Sequence, residues 1–355
     1  MKVLITAPSL DENVNVSGIS TLVRQIVRRG AAKFVHFEAG RRDGERIGAN
    51  WISQQTLLVP RFVGAMRREE VDFVHINTAL VPQAIVRDAA LASAARIVKR
   101  PVLLHLHGGR FLMEDFQNKT LERIARRMFK AARKIIVLSE HEKESLLRRW
   151  NDLQIEVLPN AVAIDEISFT ERKNTGEKTM IYLGRLHESK GLHEIIEACR
   201  ILKKENYKFQ FKCFGAGALK DFFTAEMSSI LGDDFYYGGV IAGAAKWREL
   251  AASDVFLLPS RYGEGLPVAM LEAMAAGCVA VAADVASVRA VIRDSVNGLM
   301  IEPYNVAQLV EKLKRILDDR ADLAAVRFNA RRTVEKDFAF DDYIVKLEDI
   351  YSGMI

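Results

Sequence analysis

Two glutamates, Glu264 and Glu272, stand in the stretch from Ser260 to Gly277, Ser-Arg-Tyr-Gly-Glu-Gly-Leu-Pro-Val-Ala-Met-Leu-Glu-Ala-Met-Ala-Ala-Gly. The apolar run 254–259 before them reads as a buried strand, Gly263-Glu264-Gly265 as a turn, and Pro267 suits the first turn of a helix that closes at Gly277. Such a loop lies at the carboxyl end of a strand, and the helix after it aims unpaired amides and a positive dipole end at the same place. That is chemistry for an anion. Either glutamate alone reads equally well as a solvated surface residue. Glu272, however, is surrounded by Val268, Met270, Leu271, Ala273 and Ala276, so its helix has hardly any wet face, and a carboxylate there needs a partner.

A second set follows the apolar run 179–183, in Gly184-Arg185-Leu-His-Glu-Ser-Lys190-Gly191. Arg185 and Lys190 on one strand-to-helix loop offer two cations beside helix-terminal amides, a combination suited to a diphosphate. His105-Leu-His107-Gly-Gly109 ends another strand with two imidazoles on one face; as a metal site it lacks a third ligand nearby in the sequence. Near the start, strand 2–7, a polar loop 9–18 and an amphipathic helix from about Ile19 to Arg29 make a phosphate-loop geometry. Gly18 lets a ligand approach the backbone there, and Ser17 fits equally as a plain helix cap.

The elements that must position these residues alternate. Strands are expected at 33–37, 71–77, 101–107, 134–138 and 154–158, then at 179–183, 209–214, 235–240, 254–259, 279–282 and 298–301, with helices between them, among them one over 247–253 and one near Ser287, which makes two doubly wound parallel sheets. At 355 residues, 49% hydrophobic and 27% charged, the chain is long enough for two full cores. The polar, aperiodic segment 165–178 reads as a linker. The expected domains are 1–165 and 166–337, with a last helix from about 338 to 355. Cys199, Cys213 and Cys278 form no metal or disulfide spacing, which fits a reducing cytosol. Residues 1–8 are too short for a signal peptide, and no apolar run approaches about 18 residues, so a soluble or peripheral protein is expected.

Residues 1–160 hold 26 Lys and Arg against 17 Asp and Glu, while the rest holds 25 against 29. Arg123, Arg126, Arg127, Lys130, Arg133 and Lys134 recur at helical spacing. Such a stripe is either a solvated face or a surface for anionic lipid or a pyrophosphate-bearing acceptor. No nucleic-acid-binding motif accompanies it.

Glu264, seven residues and Glu272, within Glu-Gly-Leu-Pro and Leu-Glu-Ala-Met-Ala-Ala-Gly, resemble the carboxy-terminal signature of retaining nucleotide-sugar glycosyltransferases of family 4. These have the GT-B fold, two Rossmann-like domains facing a central cleft. Gly184-Arg185-Leu with Lys190-Gly191, His107-Gly108 and Pro159-Asn160-Ala161-Val162 resemble further motifs of that family in family order. Ala161 and Ser17 stand where the family commonly has glycine. The resemblance implies a metal-independent transfer from a UDP- or GDP-sugar to a saccharide or lipid-linked acceptor, with no cofactor, in bacterial polysaccharide synthesis at the inner membrane face. It implies catalytic roles for His107, Arg185, Lys190 and Glu264, with Glu264 on the sugar hydroxyls. Gly18, Gly184, the Gly265 and Leu266 amides and Glu272 would bind the donor, Glu272 at the ribose. It leaves His105 structural, and implies that the last helix packs back on the first domain and that cleft closure brings His107 to the sugar. An epimerase or phosphorylase on the same fold is disfavoured by the Glu264/Glu272 signature. The alternative outside catalysis is a degenerate nucleotide-sugar-binding module acting with a partner enzyme.

Overall fold

The computed structural model describes residues 1–12, 15, 17–40, 55–167, 176–319 and 323–355. Most of the expected linker and three positions of the Ser9–Gly18 loop lie outside the described residues. The chain divides into two compact units, Met1–Asn160 with Asp341–Ile355, and Ala161–Phe340.

The first unit carries β1 (Lys2–Ala7), α1 (Gly18–Arg29), β2 (Lys33–Glu38), α2 (Leu58–Arg68), β3 (Phe73–Thr78), α3 (Pro82–Ile97), β4 (Val102–Leu106), α4 (Lys119–Ala131), β5 (Lys134–Val137), α5 (Glu140–Arg149) and β6 (Ile155–Val157). Its six strands pair in parallel in the order β2-β1-β3-β4-β5-β6. β3 and β4 are buried along their whole length, as strands covered on both faces must be. Leu4, Phe62, Ile76, Ile85, Leu104, Met128 and Val137 belong to its core.

The second unit carries β7 (Lys178–Leu183), α6 (Leu192–Lys204), β8 (Phe209–Phe214), α7 (Lys220–Leu231), β9 (Phe235–Tyr237), α8 (Gly243–Ala251), β10 (Val255–Leu258), α9 (Val268–Ala275), β11 (Val279–Ala283), β12 (Leu299–Ile301), α10 (Val306–Leu317) and α11 (Leu323–Asp337). Its parallel order is β12-β11-β10-β7-β8-β9. Met180, Tyr182, Phe211, Phe223, Leu257 and Val281 lie in a separate core. The α/β fold of two doubly wound parallel sheets is the one the alternating pattern predicts. The last helix, α12 (Phe340–Ser352), belongs to the first unit from Asp341 onward.

Three local expectations need correction. β9 stops at Tyr237 instead of running to Val240, because Gly239 turns at φ +67° and the Phe214 ring lies 2.1 Å from where a Gly238 Cβ would be. α8 starts at Gly243, four residues before the expected Trp247. The helix expected near Ser287 is a 3-10 turn over Ala286–Ala290. The helix expected to close at Gly277 does so: that residue sits at φ +86° and donates to Met274 O, while Cys278 N donates to Ala273 O, a left-handed stop that glycine supplies cheaply.

Candidate functional site

In the second unit the strand order reverses between β7 and β10, and the loops leaving those two strands carry Arg185, Lys190 and Glu264. Open α/β sheets bind ligands at this crevice. Backbone joins the loops, the Arg261 amide donating to Ser189 O at 2.8 Å. Gly191, at φ +72°, is pressed so close to Pro259 that a Cβ would stand 1.9 Å from its carbonyl oxygen. From the other side Gly215, at φ +139°, abuts the Gly184 carbonyl with the same 1.9 Å clearance. Only glycine tolerates both the dihedral and the approach.

Glu264 is buried and accepts from Lys190 Nζ and from Ser260 Oγ, each at 2.5 Å. Both bonds fall on Oε1, which leaves Oε2 for another donor; an ionised carboxylate can only accept. Beneath this pair lies Tyr182, whose hydroxyl donates to Arg185 O at 2.7 Å. Burial pushes the Tyr182 phenol well above its ordinary range, the Cys213 and Glu264 charges add to that, and Arg185 opposes it. Arg185 itself is exposed and has no carboxylate partner among the described residues. Lys190 and Arg185 therefore differ: one cation is committed to Glu264 and the other is open to solvent. Gly184 lies over the Tyr182 ring, and Gly265 and Leu266 are buried ahead of α9. Pro267 at its N-cap supplies no side-chain acceptor to the first-turn amides.

Glu272, buried on α9, accepts from Lys246 Nζ of α8 at 2.6 Å. Lys246 is itself buried and lies over the Trp247 ring at 4.2 Å. This is the partner that the apolar setting of Glu272 demands, and sequence reasoning missed it because the two residues are 26 positions apart with no periodic relation. Arg261 was missed as well: its Nε donates to Glu194 Oε1 at 2.8 Å, tying the Glu264 loop to the first turn of α6.

In the first unit the order reverses between β1 and β3. Ser17 caps α1, its Oγ accepting from Ser20 N at 3.2 Å, while Asn15 Oδ1 accepts from Ser17 N and Ser20 Oγ, both at 2.9 Å. The cap places Gly18 as the first residue of α1. His107, just past β4, meets Asn77 Oδ1 through Nε2 at 2.7 Å. Desolvation pushes its imidazole down to about 3, against the raising effect of a hydrogen bond with Asn160, so the ring is neutral at physiological pH. His105 packs against it with ring centroids 4.0 Å apart and planes tilted by 35°, and His75 of β3 lies behind His105. His75 is the third imidazole that the sequence could not place beside the other two. Among the described residues no group of three or more His, Cys, Asp or Glu is placed to hold a metal ion.

Two family models divide the chain: Glycosyltransferase Family 4 matches residues 17–166 and Glycosyl transferases group 1 matches residues 163–333. The chain belongs to the family 4-like glycosyltransferases. It is 34% identical over 165 residues, 45% of this chain and 40% of the relative, to an amylovoran biosynthesis glycosyltransferase, AmsK, of Erwinia amylovora. It is 23% identical over 315 residues, 82% of this chain and 77% of the relative, to UDP-Gal:alpha-D-GlcNAc-diphosphoundecaprenol alpha-1,3-galactosyltransferase of Escherichia coli. Anabaena Alr3699/HepE in complex with UDP-glucose superposes with a TM-score of 0.79 over 99% of this chain and 100% of that one at 18% identity. This last likeness carries the GT-B fold. The match to AmsK spans less than half of that protein's length. Within this family 4-like chain the two loops at the second switch point bring Lys190 and Glu264 into direct contact.

Proposed function

We propose that this glycosyltransferase moves a hexosyl group from a nucleotide diphosphate sugar, UDP- or GDP-linked, to a hydroxyl of a saccharide or lipid-linked saccharide, with retention at the anomeric carbon and without a metal. The observation that carries this reading is Glu264, a buried carboxylate fixed through one oxygen by Lys190 and Ser260 at the switch point of the second sheet. Its free oxygen suits sugar hydroxyls, which donate. Arg185, exposed and without a carboxylate partner among the described residues, suits the diphosphate, whose charge grows as it leaves; preorganised cations and helix-terminal amides stabilise that charge where it develops. Gly184, Gly265 and Leu266 then serve the donor through backbone, and Glu272, set by Lys246, takes the ribose hydroxyls. In the first unit Gly18 serves the donor phosphates and neutral His107 the sugar.

The transfer proceeds on one face. The acceptor hydroxyl oxygen bonds to the anomeric carbon as the carbon–phosphate oxygen bond breaks, and the hydroxyl proton passes to the departing diphosphate. No side chain becomes glycosylated. The relative acting on an undecaprenol-linked substrate supports a lipid-linked acceptor. A basic face adds support for peripheral attachment to an anionic bilayer. Arg123, Arg126 and Arg127 on α4 are exposed without a carboxylate partner among the described residues, and the apolar Ile97 is exposed where Arg96 meets Lys130 O. No described helix is long and apolar enough to cross a membrane.

The test is turnover of a panel of UDP- and GDP-sugars by the purified protein, with lipid extract as acceptor source and EDTA present, the anomeric configuration of product being read by NMR. One donor yielding a retained linkage in EDTA supports the reading. An inverted linkage or an absolute need for added metal refutes the mechanism, and tight nucleotide binding without turnover on any acceptor favours the binding-module alternative.

A further inference from the structure

The row of rings behind His107 ends on the C-terminal helix. Tyr351 Oη lies 2.7 Å from His75 Nδ1, and His75 Nε2 lies 3.3 Å from His105 Nδ1. Tyr351, His75 and His105 are completely buried. Helix α12 is seated on the first unit by Ala31 N donating to Glu348 Oε1 at 2.7 Å, by Arg133 donating to Met354 O at 2.8 Å, and by the Tyr351 ring set edge-on to Phe73 at 5.1 Å. A hydroxyl 276 residues away in sequence thus reaches the histidine row.

Hydrogen-bond accounting places the protons. Asn77 Nδ2 donates to Thr6 O at 2.9 Å, so Oδ1 is the atom that faces His107, and His107 carries its proton on Nε2. The His75–His105 contact can run in two directions. With the Tyr351 hydroxyl donating to His75, both histidines are protonated on Nε2, and the His105 Nε2–H alone is without a partner among the described residues. In the opposite direction both donate from Nδ1. The His105 Nε2 lone pair and the Tyr351 hydroxyl proton are then both left over. Buried polar groups without partners are costly, so the direction that leaves one prevails over the direction that leaves two.

We propose that Tyr351 is a positioning residue for His107. Its hydroxyl directs the His75 and His105 protons to Nε2, and the ordered His105 ring, packed against His107 at 4.0 Å, holds His107 in the one orientation that meets Asn77. The consequence for turnover rests on the role proposed above for His107; the placement of the protons does not.

The experiment is long-range 15N–1H correlation of the histidine rings in the full chain at pH 7.5, paired with donor-turnover kinetics. In the wild type, His75, His105 and His107 each give the Nε2–H signature. Tyr351→Phe keeps the ring against Phe73 and removes the hydroxyl. His75 and His105 then lose their single-tautomer pattern, and kcat falls about fivefold, the scale of one neutral hydrogen bond, while the donor KM is unchanged. Phe73→Leu loosens the same packing without touching the hydroxyl and leaves tautomers and kcat in place. Nδ1–H signatures at His75 and His105 in the wild type overturn the proposal. So does a Tyr351→Phe spectrum with unaltered tautomers, an altered spectrum with unchanged kcat, or equal losses in Phe73→Leu. A wild type that turns over no nucleotide sugar defeats the functional reading, and the ring spectra still judge the proton row.

Discussion

Replacing Lys246 by methionine removes the cation that faces Glu272 at 2.6 Å and leaves the stem that packs between α8 and α9. Only 5% of the Glu272 side chain and 11% of the Lys246 side chain is exposed, so water cannot take over the lost partner. Breaking a buried pair from one side costs about 3–5 kcal/mol, because the remaining charge stays desolvated. With a urea slope of about 2 kcal/mol per molar, the unfolding midpoint of the second unit drops by roughly 1.5–2.5 M. Converting both residues, Lys246→Met with Glu272→Leu, removes the desolvated charges together and returns stability to within about 1–2 kcal/mol of the wild type. The assay is urea unfolding read by hydrogen-exchange mass spectrometry on β10 and β11, which reports on the second unit alone. Saturating UDP is then added to each variant. A ligand present at 100 times its Kd stabilises by about 2.7 kcal/mol, and the double variant is expected to keep its fold and lose that increment, since Glu272 holds the ribose in the proposed site. The reasoning is refuted if Lys246→Met costs under about 1 kcal/mol, a value typical of exposed pairs. Full UDP stabilisation in the double variant would instead retain the ion pair and remove the ribose role.

Glu264→Gln keeps the shape that receives Ser260 and withdraws the charge from Lys190; donor turnover falls on the order of a hundredfold while UDP affinity holds, and steady-state kinetics beside calorimetry check both. Gly191→Ala drives a Cβ into the Pro259 carbonyl at 1.9 Å, so the two switch-point loops separate. Its expected signature is loss of turnover together with raised hydrogen exchange in 184–191 and 259–267, and an active, protected variant would contradict the loop geometry. His75 is held down to about 3 and His105 well below its ordinary value, by burial first and then by the His107 charge. Their stabilising contribution is therefore complete above pH about 6.5, where the unfolded rings are neutral too. It is lost on acidification, as the unfolded chain takes up protons that the fold refuses. At pH 5.5 the two together cost about 3 kcal/mol, visible as weakened exchange protection in β3 and β4 relative to pH 7.5, and a flat profile between those values would show that the rings ionise in place.

The two sheets were legible because their evidence is local. Runs such as Val255–Leu258 and Val279–Ala283 are continuous apolar segments bounded by glycine, proline or aspartate, and strands buried on both faces must read that way. Lys190 and Glu264 were legible for a related reason. Each sits in a loop directly after a strand, and chain order already puts such loops at the carboxyl edge of a parallel sheet. The failures lie where an element's end is set by something distant. β9 stops short because the Phe214 ring of its neighbour fills the space beside Gly238.

Glu272 shows the limit in its sharpest form. An acidic residue on an apolar helix announces that a cation must exist, because the desolvation penalty cannot stand alone. It says nothing about which of 51 lysines and arginines will serve. Lys246 is chosen by the crossing of α8 over α9, a tertiary fact with no trace in spacing, and His75 joins His105 and His107 only because β3 and β4 lie side by side in register, Asn77 against His105. Sequence thus specifies the need for a partner residue by residue, while the identity of that partner is a property of the packing. The residues most easily overlooked in this chain, Lys246, His75 and Asn77, are accordingly the ones that hold the named side chains in place, and a substitution survey confined to the family motif would pass over all three.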